Sequence, residues 1–312
     1  MTESENTESE NTASKTIESK NVVLTGGTGL VGGAVLRALL EAGHDVTAIV
    51  RSRDSADAVE KAGATAVIGD LTDTSWFSAQ LAAADGAIHT ASPGDASSAD
   101  FDTAVLNAAV AAYRGTGKPF VHTSGVWVYG SGTDLSEDTP FDPPALTAWR
   151  ADVERILLDE DSVRGVIVAP AVVYGAGQGL PNLVTQPDPN GDFRLLGDGT
   201  QHWATVSADQ LADVYVRALL NPDARGYYIA ANDDHPTVRE LAEAAATAAG
   251  SGTVVAETDD DSRARLFAPL VDALLLDQII STSSRARTEL GWHPSGTSLV
   301  GEIRGGAYAA QT

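Results

Sequence analysis

From Asn21 onward the chain alternates between short apolar runs and stretches in which apolar residues recur every three or four positions. Asn21–Thr25 (NVVLT), Asp45–Val50, Thr65–Ile68 and residues 87–90, 120–123 and 166–169 are runs suited to strands buried on both faces. Between the first two, Val31, Ala34, Val35, Ala38 and Leu39 repeat at helical spacing and Gly43 stops the helix. Residues 56–62, 73–83, 99–114 and 145–158 read as further helices. Strands alternating with helices predict an α/β fold, a doubly wound parallel sheet with helices on both faces.

The alternation breaks after Pro170. Residues 175–200 are dense in Gly, Pro, Asn and Asp and read as a long loop, of the kind that serves a site or moves. Ser207 opens a helix with Gln210 completing a capping box, residues 227–230 give one more strand, and residues 237–249 an alanine-rich helix. Residues 21–174 are therefore expected to form a dinucleotide-binding domain. Residues 175–312 are expected to form mostly a smaller, irregular substrate-binding subdomain, with 203–232 returning to the first. Residues 2–11 repeat TESEN twice, and an acidic segment without apolar residues cannot offset its chain entropy. Residues 1–20 are thus expected to be a disordered acidic tail.

Charge and composition narrow the function. The chain of 312 residues carries 43 acidic and 20 basic residues, a formal net charge of −23, which argues against nucleic acid or anionic membrane as a partner. There is no cysteine, which removes disulfides, thiolate metal sites and cysteine nucleophiles. No apolar run approaches the roughly 18–20 residues of a membrane-spanning helix, and the N-terminus lacks the basic start and apolar core of a secretory signal. A cytoplasmic protein is expected. Asp supplies 28 of the acidic residues and Lys only four of the basic ones. That balance fits a high-salt cytoplasm or a GC-rich genome, and both readings stay open.

The most informative motif is Thr25-Gly26-Gly27-Thr28-Gly29-Leu30-Val31-Gly32, lying between the first strand and the first helix. Gly26 suits the tight turn, Gly29 the close approach of a pyrophosphate, and Gly32 the packing of helix on strand. The helix N-terminus offers free N–H groups to phosphates. No Gly-Lys-Ser/Thr follows, so it is not a Walker loop. The second strand ends in Val50-Arg51-Ser52-Arg53. Arg51, with Arg53 as helper, would pair with a 2′-phosphate, which predicts NADP, with NAD as the alternative.

These residues, with Gly69-Asp70-Leu71, His89-Thr90-Ala91-Ser92, Thr123-Ser124-Gly125, Val128-Tyr129-Gly130, Pro170, Val173-Tyr174-Gly175 and Leu290-Gly291-Trp292, resemble the extended short-chain dehydrogenase/reductase superfamily, in its epimerase/dehydratase-like branch. The resemblance implies that Asp70 and Leu71 contact the adenine, that Ala91, Ser92 and Thr123 line the cofactor path, and that Pro170 and Val173 hold the nicotinamide. It also implies an active-site Ser, matched by Ser124, and a Tyr-x-x-x-Lys pair. Here the sequence departs: counting back from Glu154 puts Arg150 at the lysine and Leu146 at the tyrosine. Leucine carries no proton and arginine does not give one up.

The candidate catalytic residues are accordingly Ser124, Tyr129 and Arg150, with Tyr174 and His202 as weaker proton carriers. Trp127, Trp149 and Trp203 are candidates to wall an apolar pocket or to pack the core. The six histidines show no ligand spacing, so no metal site is inferred, and residues 259–261 (DDD) read as a solvated loop. The expected function is an NAD(P)-dependent oxidoreductase acting on a small carbonyl or alcohol substrate, with a homodimer as the assembly that the family resemblance suggests. The alternative is a catalytically silent NAD(P)-binding sensor or interaction protein.

Overall fold

A computed structural model describes residues 18–309, so the expected tail lies almost wholly outside the described residues. Seven parallel strands form the central sheet: β1 (Asn21–Thr25), β2 (Asp45–Val50), β3 (Thr65–Ile68), β4 (Gly86–His89), β5 (Pro119–Thr123), β6 (Arg164–Pro170) and β7 (Gly226–Ala230). Their spatial order is β7-β6-β5-β4-β1-β2-β3. The order reverses between β1 and β4, which opens a crevice at the carboxyl ends of the strands, where open α/β sheets bind ligands.

Helices cover both faces. Leu30–Glu41 (α1), Arg53–Ala62 (α2) and Ala208–Leu220 pack Val35, Leu39, Val59, Leu211 and Tyr215 against one face. Thr74–Ala82 and Ser98–Tyr113 (α3 and α4) pack Phe77, Leu81, Val105 and Leu106 against the other. Burying strands on both sides explains their near-continuous apolar runs. Arg164 at the start of β6 locks Ala208–Leu220 in place, donating to the carbonyls of Ala218, Leu219 and Asn221. Residues 208–230 thus belong to the sheet unit, although they lie beyond Pro170.

A second apolar cluster, including Tyr174, Phe193, Leu195, Trp203, Val238, Leu241 and Leu274, holds the smaller lobe. Its helix Val238–Ala249 begins with a full capping box of Thr237 and Glu240. The box expected at Ser207 is half made: Ser207 accepts from the Gln210 N–H at 3.3 Å.

Three sequence expectations change. Residues 175–200 are not one loop, because Gln178–Gly179, Asn182–Thr185 and Phe193–Arg194 form short elements packed on the second cluster. The acidic run Asp259–Asp261 opens a helix (Asp259–Arg265) that Thr258 caps, since carboxylates are favoured at a helix's positive end. The helix expected over 145–158 begins only at Arg150: Pro143 and Pro144 precede a string of turns, Thr147 N–H to Pro144 O (2.9 Å) and Arg150 N–H to Thr147 O (3.0 Å). It continues as α5 (Arg150–Val153) and α6 (Arg155–Leu158), split at Glu154.

Candidate active site

Two clefts meet at Ser92 along the carboxyl edge of the sheet. The narrower encloses about 290 Å³ between the glycine loop and the ends of β2 and β3. Gly26, Thr28, Gly29, Arg51, Asp70, Leu71, Ala91 and Ser92 line it, as does Ser55, which sequence reasoning did not single out. Gly26 has φ +76°, and a Cβ there would sit 2.7 Å from the Ala91 nitrogen. Gly32 lies behind the loop, where a Cβ would fall 2.1 Å from the Gly26 carbonyl oxygen. Only glycine fits either position. The Gly29 side has no capping side chain, so the first-turn N–H groups of α1 face the cleft unclaimed by one. These features fit a dinucleotide pyrophosphate.

Arg51 and Arg53 part company. Arg51 is exposed, lines the cleft and has no ion pair among the described residues. Arg53 is turned along its own helix, pairing with Asp57 at 2.6 Å and Glu60 at 3.1 Å, and does not line the cleft. The i,i+4 spacing on α2 takes the side chain that was expected to help Arg51. Asp70 accepts from the Thr72 N–H and hydroxyl, which hold its carboxyl below the usual carboxylate range.

The wider cleft encloses about 940 Å³ between the sheet edge and the smaller lobe. Leu30, Val31, Thr123, Ser124, Arg150, Pro170 and Val173, all expected at the site, line it. Its apolar wall includes Trp127, Leu146, Trp149, Leu180 and Phe267. Trp203 instead packs in the second cluster, donating to Leu274 O. The hydroxyls of Ser124 and Thr147 are buried against this cavity without a partner at hydrogen-bond distance. The turn after Ser124, Val126–Tyr129, is tied to the smaller lobe by Gln278, which donates to Val126 O (3.0 Å) and Gly130 O (2.6 Å).

Arg150 reaches back to the sheet edge, donating to Thr123 O at 3.0 Å and Glu154 at 3.3 Å, with its guanidinium stacked 4.6 Å over Trp149. Thr123 donates to His89 O and accepts from the Tyr215 hydroxyl, both at 2.7 Å. Tyr129 does not join this group. It is buried behind the turn, edge-on to Phe141 at 5.1 Å, and its hydroxyl is unpaired. Burial raises its pKa far above that of a free phenol. The Val126–Tyr129 turn directs Val126 and Trp127 to the cavity and swings Tyr129 into the core. Tyr174 is likewise buried, donating to Thr297 O, and His202 pairs with Asp277 at 2.9 Å.

Beneath the cavity floor lies a buried chain that sequence reasoning missed. His89 bonds Thr25 at 2.7 Å and Asp102 at 3.4 Å, and His122 stacks on His89 with ring centroids 5.5 Å apart. Asp102 lies 3.9 Å from Arg150, and Glu154 accepts from the Tyr227 hydroxyl at 2.5 Å. One sequence signal existed: His89 and His122 end apolar runs of neighbouring strands and pair in register. Nothing in the sequence links Tyr227 to Glu154, 73 residues apart. Among the described residues no cluster of His, Asp and Glu could hold a metal ion, and no helix is long and apolar enough to cross a membrane.

Sheet order, glycine cradle and joined clefts define a Rossmann-type dinucleotide-binding protein. Residues 22–230 match the model of the NAD dependent epimerase/dehydratase family, and the chain belongs to that family. An uncharacterized protein of Schizosaccharomyces pombe is 29% identical over 298 residues, spanning 92% of this chain and 99% of the relative. A 2-alkyl-3-oxoalkanoate reductase of Stenotrophomonas maltophilia is 28% identical over 258 residues, 75% of this chain and 77% of the relative. Among solved structures, the UDP-glucuronic acid 4-epimerase of Bacillus cereus, in complex with UDP-glucuronic acid and NAD, superposes with a TM-score of 0.74 at 18% identity. That superposition covers 92% of this chain and 98% of the epimerase.

Proposed function

We propose that the protein is an NADP(H)-dependent oxidoreductase that interconverts a ketone and an alcohol on an uncharged, largely apolar small molecule. The carrying observation is the wider cleft: its aromatic and aliphatic walls include two residues with unpartnered hydroxyls, Ser124 just past the end of β5 and Thr147 in the turns before Arg150. A bound nicotinamide supplies or accepts the hydride. Pro170 and Val173 would hold its ring, Ser124 would donate to the substrate oxygen, and Thr147 offers a second hydroxyl. Arg150 fixes the strand end by its bond to Thr123 O. Arg51, free of an ion pair among the described residues, favours a 2′-phosphate and hence NADP over NAD.

Substrate chemistry follows from charge. A nucleotide sugar brings two phosphates, and Arg150 is the single Lys or Arg among the residues lining the wider cleft. Arg150 is already committed to Glu154, Thr123 O and Trp149. An apolar ketone suits this wall better than the ligand of the Bacillus epimerase; the Stenotrophomonas relative is named a 2-alkyl-3-oxoalkanoate reductase, whose substrate shares the oxo group but adds a carboxylate that the molecule proposed here lacks. Leu146 at the family's tyrosine position favours a second reading, an NADP-binding sensor without turnover.

The test is a tryptophan-quenching titration with NADPH and NADH, followed by NADPH consumption with 2-acetylnaphthalene and ethyl 3-oxodecanoate. Tighter NADPH binding and formation of the matching alcohol support the reading. Binding without turnover moves the protein to the sensor class, and binding of neither cofactor removes both.

A further inference from the structure

The wider cleft is polar on one bank only. Every hydroxyl and charged side chain that lines it belongs to residues 92–150, along the sheet edge, the start of α4 and the turns leading into α5. The smaller lobe contributes Gly179, Leu180, Phe267 and Pro269, none of which offers a polar side chain. A ligand lying across the cleft therefore meets hydrogen-bonding groups at one end and only apolar surface at the other.

Phe267 stands out on the apolar bank. It is 65% exposed; Ile68 and Phe141, the other exposed large apolar residues among those described, line neither cleft. The exposure is not slack in a loop. The Phe267 carbonyl oxygen accepts from the N–H groups of Leu270 (2.9 Å) and Val271 (3.1 Å), opening the helix Ala268–Leu274. Arg263 on the preceding helix binds Asp272 on this one at 2.8 Å, and the carbonyl of the buried Leu274 accepts from Trp203. The backbone is thus fixed from both sides while the ring stays uncovered. A single exposed apolar residue needs no explanation by itself. This one gains meaning from its place, on the apolar bank of the same cavity that Ser124 lines.

We infer that Phe267 selects the substrate by the length of its apolar tail, covering the far end of a ketone whose oxygen lies at Ser124. This rests on the oxidoreductase reading above and narrows its substrate class to long alkyl or aryl ketones. Tail carbons that reach Phe267 leave water together with the ring, so affinity grows with each methylene that arrives there. A tail carrying a charge would lie on a bank with no group to pair it and is disfavoured by the same wall. Phe267 touches no reacting atom. It is a specificity-determining residue, and Ser124 keeps its place at the oxygen.

The test is kcat/KM with NADPH over 2-pentanone, 2-heptanone, 2-nonanone and 2-undecanone, for the wild type, Phe267→Ser and Phe267→Leu. The wild-type value should rise along the series. In Phe267→Ser the advantage of 2-undecanone over 2-pentanone should shrink about tenfold (about 1.4 kcal/mol), chiefly through KM, and Phe267→Leu should restore most of it. A wild-type series that does not rise, or equal losses for short and long ketones in Phe267→Ser, overturns the inference while leaving the oxidoreductase reading intact. Calorimetry of the full chain with 2-pentanol and 2-nonanol, in the presence of NADPH, repeats the comparison without turnover. If no ketone is reduced, the functional reading fails and this titration still decides. Tighter binding of the longer alcohol, lost in Phe267→Ser, sustains the tail site; equal binding of the two alcohols removes it. Altered sedimentation of Phe267→Ser with an unaltered ketone series would assign Phe267 to a contact between copies of the chain and overturn the inference.

Discussion

The two clefts share one sheet edge and follow opposite rules. The narrow cleft is built largely from backbone: glycines, the first turn of α1 and the ends of β2 and β3. The wide cleft is built from side chains delivered from strand ends, from a proline-started string of turns and from the smaller lobe. A backbone cradle tolerates almost no change, because a single Cβ collides with it. A side-chain site carries no such backbone constraint, and here Leu146 stands where the family resemblance places a tyrosine. The contrast teaches that the cofactor half of such a fold is fixed by geometry, whereas the reacting half is fixed by chemistry that several residue sets can supply.

The sharpest way to break the comparison is Gly32→Ala. Its Cβ would meet the Gly26 carbonyl at 2.1 Å, so the loop must open. Loss of NADPH binding by 100-fold or more, about 3 kcal/mol, is expected in fluorescence titration. Unaltered affinity would show that the cradle is not what holds the pyrophosphate. Next comes Arg150→Met, which removes the cation between Asp102 and Glu154 and the donor to Thr123 O. Urea unfolding should show a loss of about 2–3 kcal/mol, the cost of leaving buried polar partners unmatched. A change below about 0.5 kcal/mol, the scale of ordinary surface substitutions, would show that Arg150 is not what holds these buried groups together.

Two smaller effects sharpen the contrast. Arg51→Ala should weaken NADPH by roughly tenfold, about 1.4 kcal/mol, and leave NADH unchanged, as paired titrations would show. Equal losses for both cofactors would remove the 2′-phosphate argument. Tyr129→Phe deletes an unpaired, buried hydroxyl that does not line the cavity. Stability within about 0.5 kcal/mol of wild type and unchanged turnover are expected, since surrendering a group that has no partner costs little. A large loss of turnover would return the phenol to the reaction.

What was legible in the sequence follows the same division. The strands of the sheet unit and the residues of the narrow cleft could be read because buried parallel strands are continuous apolar runs and the glycine loop has no side chains to misplace. Arg53 was misplaced because the pull of Asp57 and Glu60 acts across α2, whose start lay three residues earlier than periodicity suggested. Tyr129 was misplaced because a tight turn decides which of four consecutive residues faces the cavity. The spacing from Glu154 points to Leu146 and Arg150, but apolar periodicity over 145–158 reads as helix, whereas Pro143 and Pro144 precede turns that reach Trp149. The layer of His89, Asp102, His122, Glu154 and Tyr227 assembles from β4, α4, β5, the turn between α5 and α6, and β7, and pair geometry at that range leaves no local pattern.

The central claim is that this chain couples a family-type cofactor cradle to a ketone site without the family's tyrosine. It is tested most directly by incubating the protein with NADPH and 2-acetylnaphthalene and measuring alcohol formed against NADPH consumed, across mildly acidic to alkaline pH. The account predicts one alcohol per NADPH. NADPH bound tightly but never consumed at any pH would contradict it and leave a cofactor-binding protein without turnover.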